Sequence, residues 1–283
     1  MILSESVKYI KGTIPEAEIT LLLRPGLEEA AKWIGGVKGI VAIEEWGRNQ
    51  TRDTLWGLAY PTPRAIERAL KERGKARDFD LILPYPLGKW WFRNTSQLRP
   101  CLKWQPEEAR FGQQYIRHLF PEHEKYVIAI NSSTGTSDYY PYNKNWGSWN
   151  FQSLISQTLS HIPEAKIILV DEEPAGRYPM ESRIYDARGK HSVSESISII
   201  ANSDLFVCLD TGPANLVYFL EGISLHIIAL LGQSHSFFRH GNPPASSDVL
   251  LKKVCGTDER IENISVETVM RGILDFYRLK TQK

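Results

Sequence analysis

Four short runs in the second half of the chain carry almost no polar residue: "YVIAIN" (residues 126–131), "KIILV" (166–170), "DLFVCL" (204–209) and "LHIIALLG" (225–232). A strand with one face in water alternates apolar and polar side chains; a strand apolar on both sides needs cover on both. Helix-like stretches separate the runs, so the pattern predicts a parallel, doubly wound sheet with helices on each face.

The intervening helices can be placed from their apolar stripes. Residues 149–162, "WNFQSLISQTLSHI", put Phe151, Leu154, Ile155, Leu159 and Ile162 on one side. The segment "SVSESISIIANS" runs from a Ser192 cap toward Ile197, Ile200 and Ala201, and a final helix begins at Ser265 with Glu267 and Thr268 in its first turn. The first half repeats the theme more weakly. A helix through "ILSESVKYIKG" leads to a strand at 19–23, further strands are expected at 39–46 and 79–86, and "TPRAIERALKERG" reads as a helix with Pro63 near its start and Gly74 at its end.

The chain has 283 residues, enough for two compact domains. A boundary near Pro121 to Lys125 gives domains 1–122 and 123–283, with the last helix able to pack back toward the first. The front is unusual, because a sheet of this kind normally begins with a strand and this chain begins with a helix.

Composition removes several classes. The net charge of +1 has no block of like charge behind it, so nothing electrostatic points to nucleic acid. Cys101, Cys208 and Cys255 are widely spaced, with no metal-ligand pattern, and a reduced cytosolic chain is the expectation. No apolar run approaches the ~20 residues that span a bilayer. Dinucleotide, P-loop, zincin and α/β-hydrolase signatures are missing; the nearest miss to the last is "GQSHS" at 232–236.

What remains is a set of polar loops at the carboxyl ends of strands, where open α/β sheets bind ligands. After "LFVCL" come Asp210 and Thr211, then Gly212, which lets backbone approach a ligand, and Pro213, suited to a first helical position. The helix "ANLVYFLEG" that follows would turn free amides toward an anion such as a diphosphate; equally, Asp210 or Thr211 would simply cap it. The loop "NSSTGTSDYYPYNKNW" (131–146) offers hydroxyls, including that of Ser132, and Lys144 for a phosphate cradle, or is only a polar surface loop. In "VDEEPAGRYP", Asp171, Glu172 or Glu173 would accept from ribose hydroxyls, or are solvated loop acids.

The run "YDARGKHSVSESISIIANSDLFVCLDTGPANLVYFLEGISLHIIALLGQS" (185–234) resembles the nucleotide-binding half of glycosyltransferase family 9, the ADP-heptose lipopolysaccharide heptosyltransferases. That family shows a leucine, arginine and glycine before a helix, then D-[ST]-G-x-x-H, then an apolar strand ending before G-P-[ST]. "KNWGSWNFQSL" resembles its K-x-W-P segment and "IPEAEITLLLRPG" its second strand; the likeness is weakest over residues 90–124. It implies an α/β fold of the GT-B type, two Rossmann-like domains with acceptor on the first and nucleotide sugar mainly on the second. It implies inverting, metal-independent transfer of a sugar, heptose from ADP-heptose or a related one, to a lipopolysaccharide-core-like or other carbohydrate acceptor, with no cofactor, in the cytoplasm or at the inner face of the plasma membrane. Lys144 matches the lysine that contacts donor phosphate; Asp210, Thr211 and Gly212 match the loop holding diphosphate and sugar; Glu173 falls where an acid meets ribose. The basic, aromatic stretch 89–110 would then help hold the acceptor, or is an ordered connection.

Two departures stand out. Asn215 occupies the histidine position of D-[ST]-G-x-x-H; it can donate a hydrogen bond to phosphate but cannot carry a proton or a positive charge. The family's first strand, with the Gly-Asp whose aspartate is the proposed general base, falls upstream of Met1. Either Met1 is internal to a longer chain or this is a short form without ordinary catalysis. A non-catalytic nucleotide-sugar-binding protein therefore stays open beside the transferase, as does a GT-B epimerase, which would need two acidic catalytic groups.

Overall fold

The structure, a computed structural model, describes residues 2–23, 26–42, 101–122, 125–134, 143–172, 176–178, 181–232 and 242–282, with side chains from Val7 onward. The strand expected at 79–86 and the helix expected at 62–74 lie outside these residues. The chain divides into two compact units, Met1–Lys103 with His240–Asn242, and Trp104–Arg239 with Pro243–Lys283.

In the first unit, α1 (Ile2–Thr13) leads to β1 (Ile19–Leu23), and the short α2 (Glu28–Lys32) returns the chain to a parallel β2 (Val37–Ala42). Leu21, Leu23, Ala31, Trp33, Ile34 and Val41 are buried with Val7 of α1. Gly39 stands beside Thr20, and a Cβ there would come within 2.8 Å of the threonine hydroxyl, so a larger residue would have to displace that side chain. The backbone of Lys103 donates to Trp33 O at 2.7 Å and ties the end of the unit to its core.

The second unit begins earlier than Pro121. Helix α3 (Pro106–Leu119) lies within it, packed on α5 (Val193–Ala201) so closely that Gly112 N donates to Ser198 Oγ at 2.8 Å. Between and beyond them run β3 (Tyr126–Ile130), α4 (Ser148–His161), β4 (Ala165–Leu169), β5 (Ile184–Asp186), β6 (Leu205–Leu209), α6 (Gly212–Tyr218), β7 (Ser224–Leu231), β8 (Asp248–Cys255) and α7 (Val266–Thr281). The six strands form one parallel sheet in the order β5-β4-β3-β6-β7-β8.

Every residue of β3 and β6 is buried, as their unbroken apolar sequences require. Alternation then assigns the faces. Ile128, Ile130, Val207 and Leu209 share a core with Phe151, Leu154 and Ile155 of α4 and Val269 and Ile273 of α7; α3, α5 and α6 pack among themselves. Helix α7 packs on α4, β7 and β8 of its own unit, where the sequence reading allowed it to reach the first. Among the described residues no helix is long and apolar enough to cross a membrane.

The capping residues behave as their chemistry demands. Ser192 accepts from Glu195 N while the Glu195 carboxylate accepts from Ser192 N at 2.9 Å, a reciprocal box that starts α5, and Ser265 accepts from Thr268 N at 3.2 Å to start α7. Helix α6 stops at Tyr218, short of the expected Gly222, where the chain turns with φ +71°.

Candidate functional site

The strand order fixes where a site can form. From β3 the sheet grows through β4 to β5, and from β6 it grows the other way through β7 to β8, so the loops leaving β3 and β6 diverge and open a crevice at the carboxyl edge. Asn131 to Thr134 and residues 143–147 flank one side; Asp210 to Asn215 form the other.

Lys144 spans the two. Its Nζ lies 3.3 Å from Asp210 Oδ2 and donates to Asp210 O at 3.2 Å, with both side chains largely buried. Its position is set by its neighbours. The Trp146 indole donates to Ile264 O at 2.8 Å and stacks edge-on against Phe151 at 5.0 Å. Gly147 then turns the chain into α4 with φ +94°, which a side chain rarely adopts. Thr134 N donates to Asn145 Oδ1 at 3.2 Å, pinning the described ends of the loop together.

A buried carboxylate organises the β3 side. Asp171, just past β4, accepts from Asn131 Nδ2 (2.6 Å), Ser132 N (2.8 Å), Ser132 Oγ (2.6 Å) and Ser133 N (3.0 Å). Burial pushes its carboxyl above the usual range despite these donors. Asp171 was one of three acids expected to face ribose; its oxygens are instead committed to the neighbouring loop. Glu173 lies outside the described residues, and Glu172 is exposed.

On the next strand, Arg188 forks onto Asp186 with two contacts of 2.8 Å, donates to Gly176 O at 3.2 Å and covers the Tyr178 ring at 4.9 Å. The guanidinium holds the Asp186 carboxyl below its usual range. The arginine of "ARG" is thus turned inward, fastening the β4 and β5 loops together. The Asp-x-Arg spacing was the available signal for this pair.

Thr211 is the N-cap residue of α6, yet its side chain makes no capping hydrogen bond, and Asp210 pairs with Lys144 through both its carboxylate and its backbone oxygen. Pro213 takes the early helical position expected of it. A Cβ at Gly212 would touch nothing, so the protein itself does not demand glycine there. Asn215 folds back by one turn, its Nδ2 donating to Thr211 O at 2.7 Å. Ser132, Lys144, Thr211 and Asn215 are all buried polar residues, brought to one sheet edge within the second unit. Cys208, at the end of β6, is fully buried and its thiol is pushed well up, which makes it a poor nucleophile.

Neither family profiles nor curated protein sequences match the chain. Solved structures do. A glycosyltransferase of family 9 from Veillonella parvula aligns with a TM-score of 0.64 at 12% identity, covering 97% of this chain and 92% of that one. The E. coli ADP-heptose lipopolysaccharide heptosyltransferase II aligns with a TM-score of 0.58 at 15% identity, over 99% and 96% of the two chains. An E. coli heptosyltransferase solved with ADP aligns with a TM-score of 0.51 at 11% identity, over 98% and 94%. The chain has the α/β, GT-B fold of these glycosyltransferases along nearly its whole length.

Proposed function

We propose that this protein is a glycosyltransferase that moves a sugar from a nucleoside diphosphate donor, ADP-heptose or a close relative, to a saccharide acceptor, with inversion and without a metal. The observation that carries the reading is Lys144 bridging the β3 and β6 loops at the crossover of a sheet whose fold is that of family 9 structures.

In this reading the donor diphosphate lies at the crevice. Negative charge develops on the leaving nucleotide as its bond to the sugar breaks, and a fixed cation there lowers the barrier more than it tightens the ground state. Lys144 supplies that cation, held in place beforehand by Asp210 and by the Trp146 anchor. Asp171 keeps the Asn131–Ser133 backbone in shape beneath it, and Arg188 does the same for the β4 and β5 loops.

The test is to mix the protein with ADP-heptose, with and without a lipopolysaccharide-core saccharide, and follow ADP release. Acceptor-dependent release supports transfer. Tight donor binding without release under either condition would place the protein instead among non-catalytic nucleotide-sugar binders, and absence of donor binding would overturn both.

A further inference from the structure

Of the large apolar side chains that reach the surface among the described residues, Trp149 is the most accessible, 78% exposed on the first turn of α4. The fold does not need an indole there. Trp146 and Phe151 already anchor the turn into the helix.

The helix carries Trp149 at one end of a groove. At 3.6 residues per turn, Trp149, Ser156 and Ser160 fall within about 20° of one line along α4, and a rise of 1.5 Å per residue sets Ser156 about 10 Å beyond the tryptophan. Residues 176–178 and 181–184 run beside that line. A Cβ on Gly176 would come within 2.9 Å of Ser148 Cβ, Gln152 Nε2 donates to Arg177 O, and Arg183 Nη1 donates to Leu159 O at 2.8 Å. Between helix and segment lies a cavity of about 210 Å³, floored by Ile155, Leu159 and Ile184, with Ser156 and Ser160 on one wall and Glu181 and Arg183 on the other.

The lining selects a ligand. Glu181 and Arg183 neutralise each other at 3.0 Å, so the cavity itself calls for no ion. Ser156 and Ser160 are exposed, and their hydroxyls, which both donate and accept, bond to no described residue. The floor is apolar, and the volume lies below the ~300–1,000 Å³ of pockets that enclose a drug-sized molecule. An uncharged ring with hydroxyls at its edge and C–H groups on its faces suits every part of this lining, and the same faces suit an indole. A protein partner suits it less well. Interface centres are apolar, whereas beyond Trp149 the outward line of α4 is Gln152, Ser153, Ser156 and Ser160.

We propose that this groove binds an uncharged oligosaccharide, one ring seated between the two serines and the Glu181–Arg183 pair and another, about 10 Å away along α4, stacked on Trp149. None of its residues belongs to the Lys144 crevice, and the site does not rest on the transferase reading. In a transferase it holds a glycan at a point remote from the bond being made.

The experiment titrates neutral gluco-, manno- and galacto-oligosaccharides of three to five rings, and galacturonate oligosaccharides of the same lengths, onto wild type, Trp149→Ala and Ser156→Arg, followed by saturation-transfer NMR. Wild type is expected to bind neutral oligosaccharides without competition from ADP. Each variant is expected to bind them about ten-fold more weakly, the first by losing the stacking face and the second by filling the cavity. Both positions are exposed, so each variant is expected to melt within about 2 °C of wild type. The groove is overturned if no neutral oligosaccharide binds, if galacturonates bind more tightly, or if Ser156→Arg leaves binding untouched. Competition by ADP would put the sugar in the crevice and overturn it too. Should Trp149→Ala abolish self-association of the protein while sugar binding stays unchanged, the indole belongs to a contact between copies and the proposal fails.

Discussion

Asp171 accepts from two backbone amides, one side-chain amide and one hydroxyl, so its loss strands several donors at once. Asp171→Ala is expected to destabilise the second unit by about 3 kcal/mol, read from urea denaturation, the cost of leaving buried donors unsatisfied. Asp171→Asn keeps the acceptor facing Asn131, Ser132 and Ser133 and is expected to cost far less. It also isolates a titration. Burial raises the carboxyl's pKa in the folded state, so the folded protein holds a proton that the unfolded chain has released. The stability of wild type relative to Asp171→Asn should therefore fall as pH rises from the ordinary aspartate range through the raised pKa. Asp186, held down by Arg188, works in the opposite direction, losing its contribution as pH falls, and cancels from the comparison because both proteins carry it. At this scale the sequence put Asp210–Asn215 directly after β6 and Lys144 on the connection from β3 to α4, where the structure has them, since order along the chain marks those positions. It did not show which acid after β4 faces outward, because three consecutive carboxylates differ only in the direction the backbone gives each.

The contact between α3 and α5 depends on one missing side chain. A Cβ on Gly112 would lie 2.1 Å from the backbone oxygen of Ser198, and that oxygen cannot move without moving the helix. Ser198 Oγ also donates to Glu108 O, and Asn202 Nδ2 donates to Ala109 O at 3.0 Å, so the two helices are stitched where they are closest. Gly112→Ala is expected to lower stability by about 3 kcal/mol, at the upper end of overpacking costs, even though alanine is the better helix former. Calorimetric melting checks it: an unchanged or raised melting temperature would mean the helices stand further apart. The four central strands and three helices of this unit were legible from apolar runs and stripes. Strands β5 and β8 were not, for opposite reasons. β5 has only three residues, and β8 is an edge strand, "DVLLKKVC", whose exposed residues and paired lysines blunt both the apolar run and a clean alternation.

For the whole molecule, the division at Lys103 and Trp104 makes a direct statement about what the second unit needs. A fragment beginning at Trp104 retains α3 and is expected to unfold cooperatively. One beginning at residue 123, the boundary expected from the sequence, gives up the buried Ile116 and Phe120 and is expected to be less stable by ~3–6 kcal/mol, as judged by denaturation midpoints. The sequence reading set the boundary after the aromatic, basic stretch and the helix that follows it, whereas the packing of α3 on α5 keeps that helix with the second unit. The crossover that opens the crevice has a temporal side as well. Val127 N donates to the carboxylate of Asp204, 77 residues further along, and β3 completes its second flank only on β6. During synthesis α3, β3, β4 and β5 can all have emerged while the sheet still lacks its middle. The loops bearing Lys144 and Asp210 come together only where β3 pairs with β6, so a ligand that needs both loops binds only after the two halves of the sheet have joined.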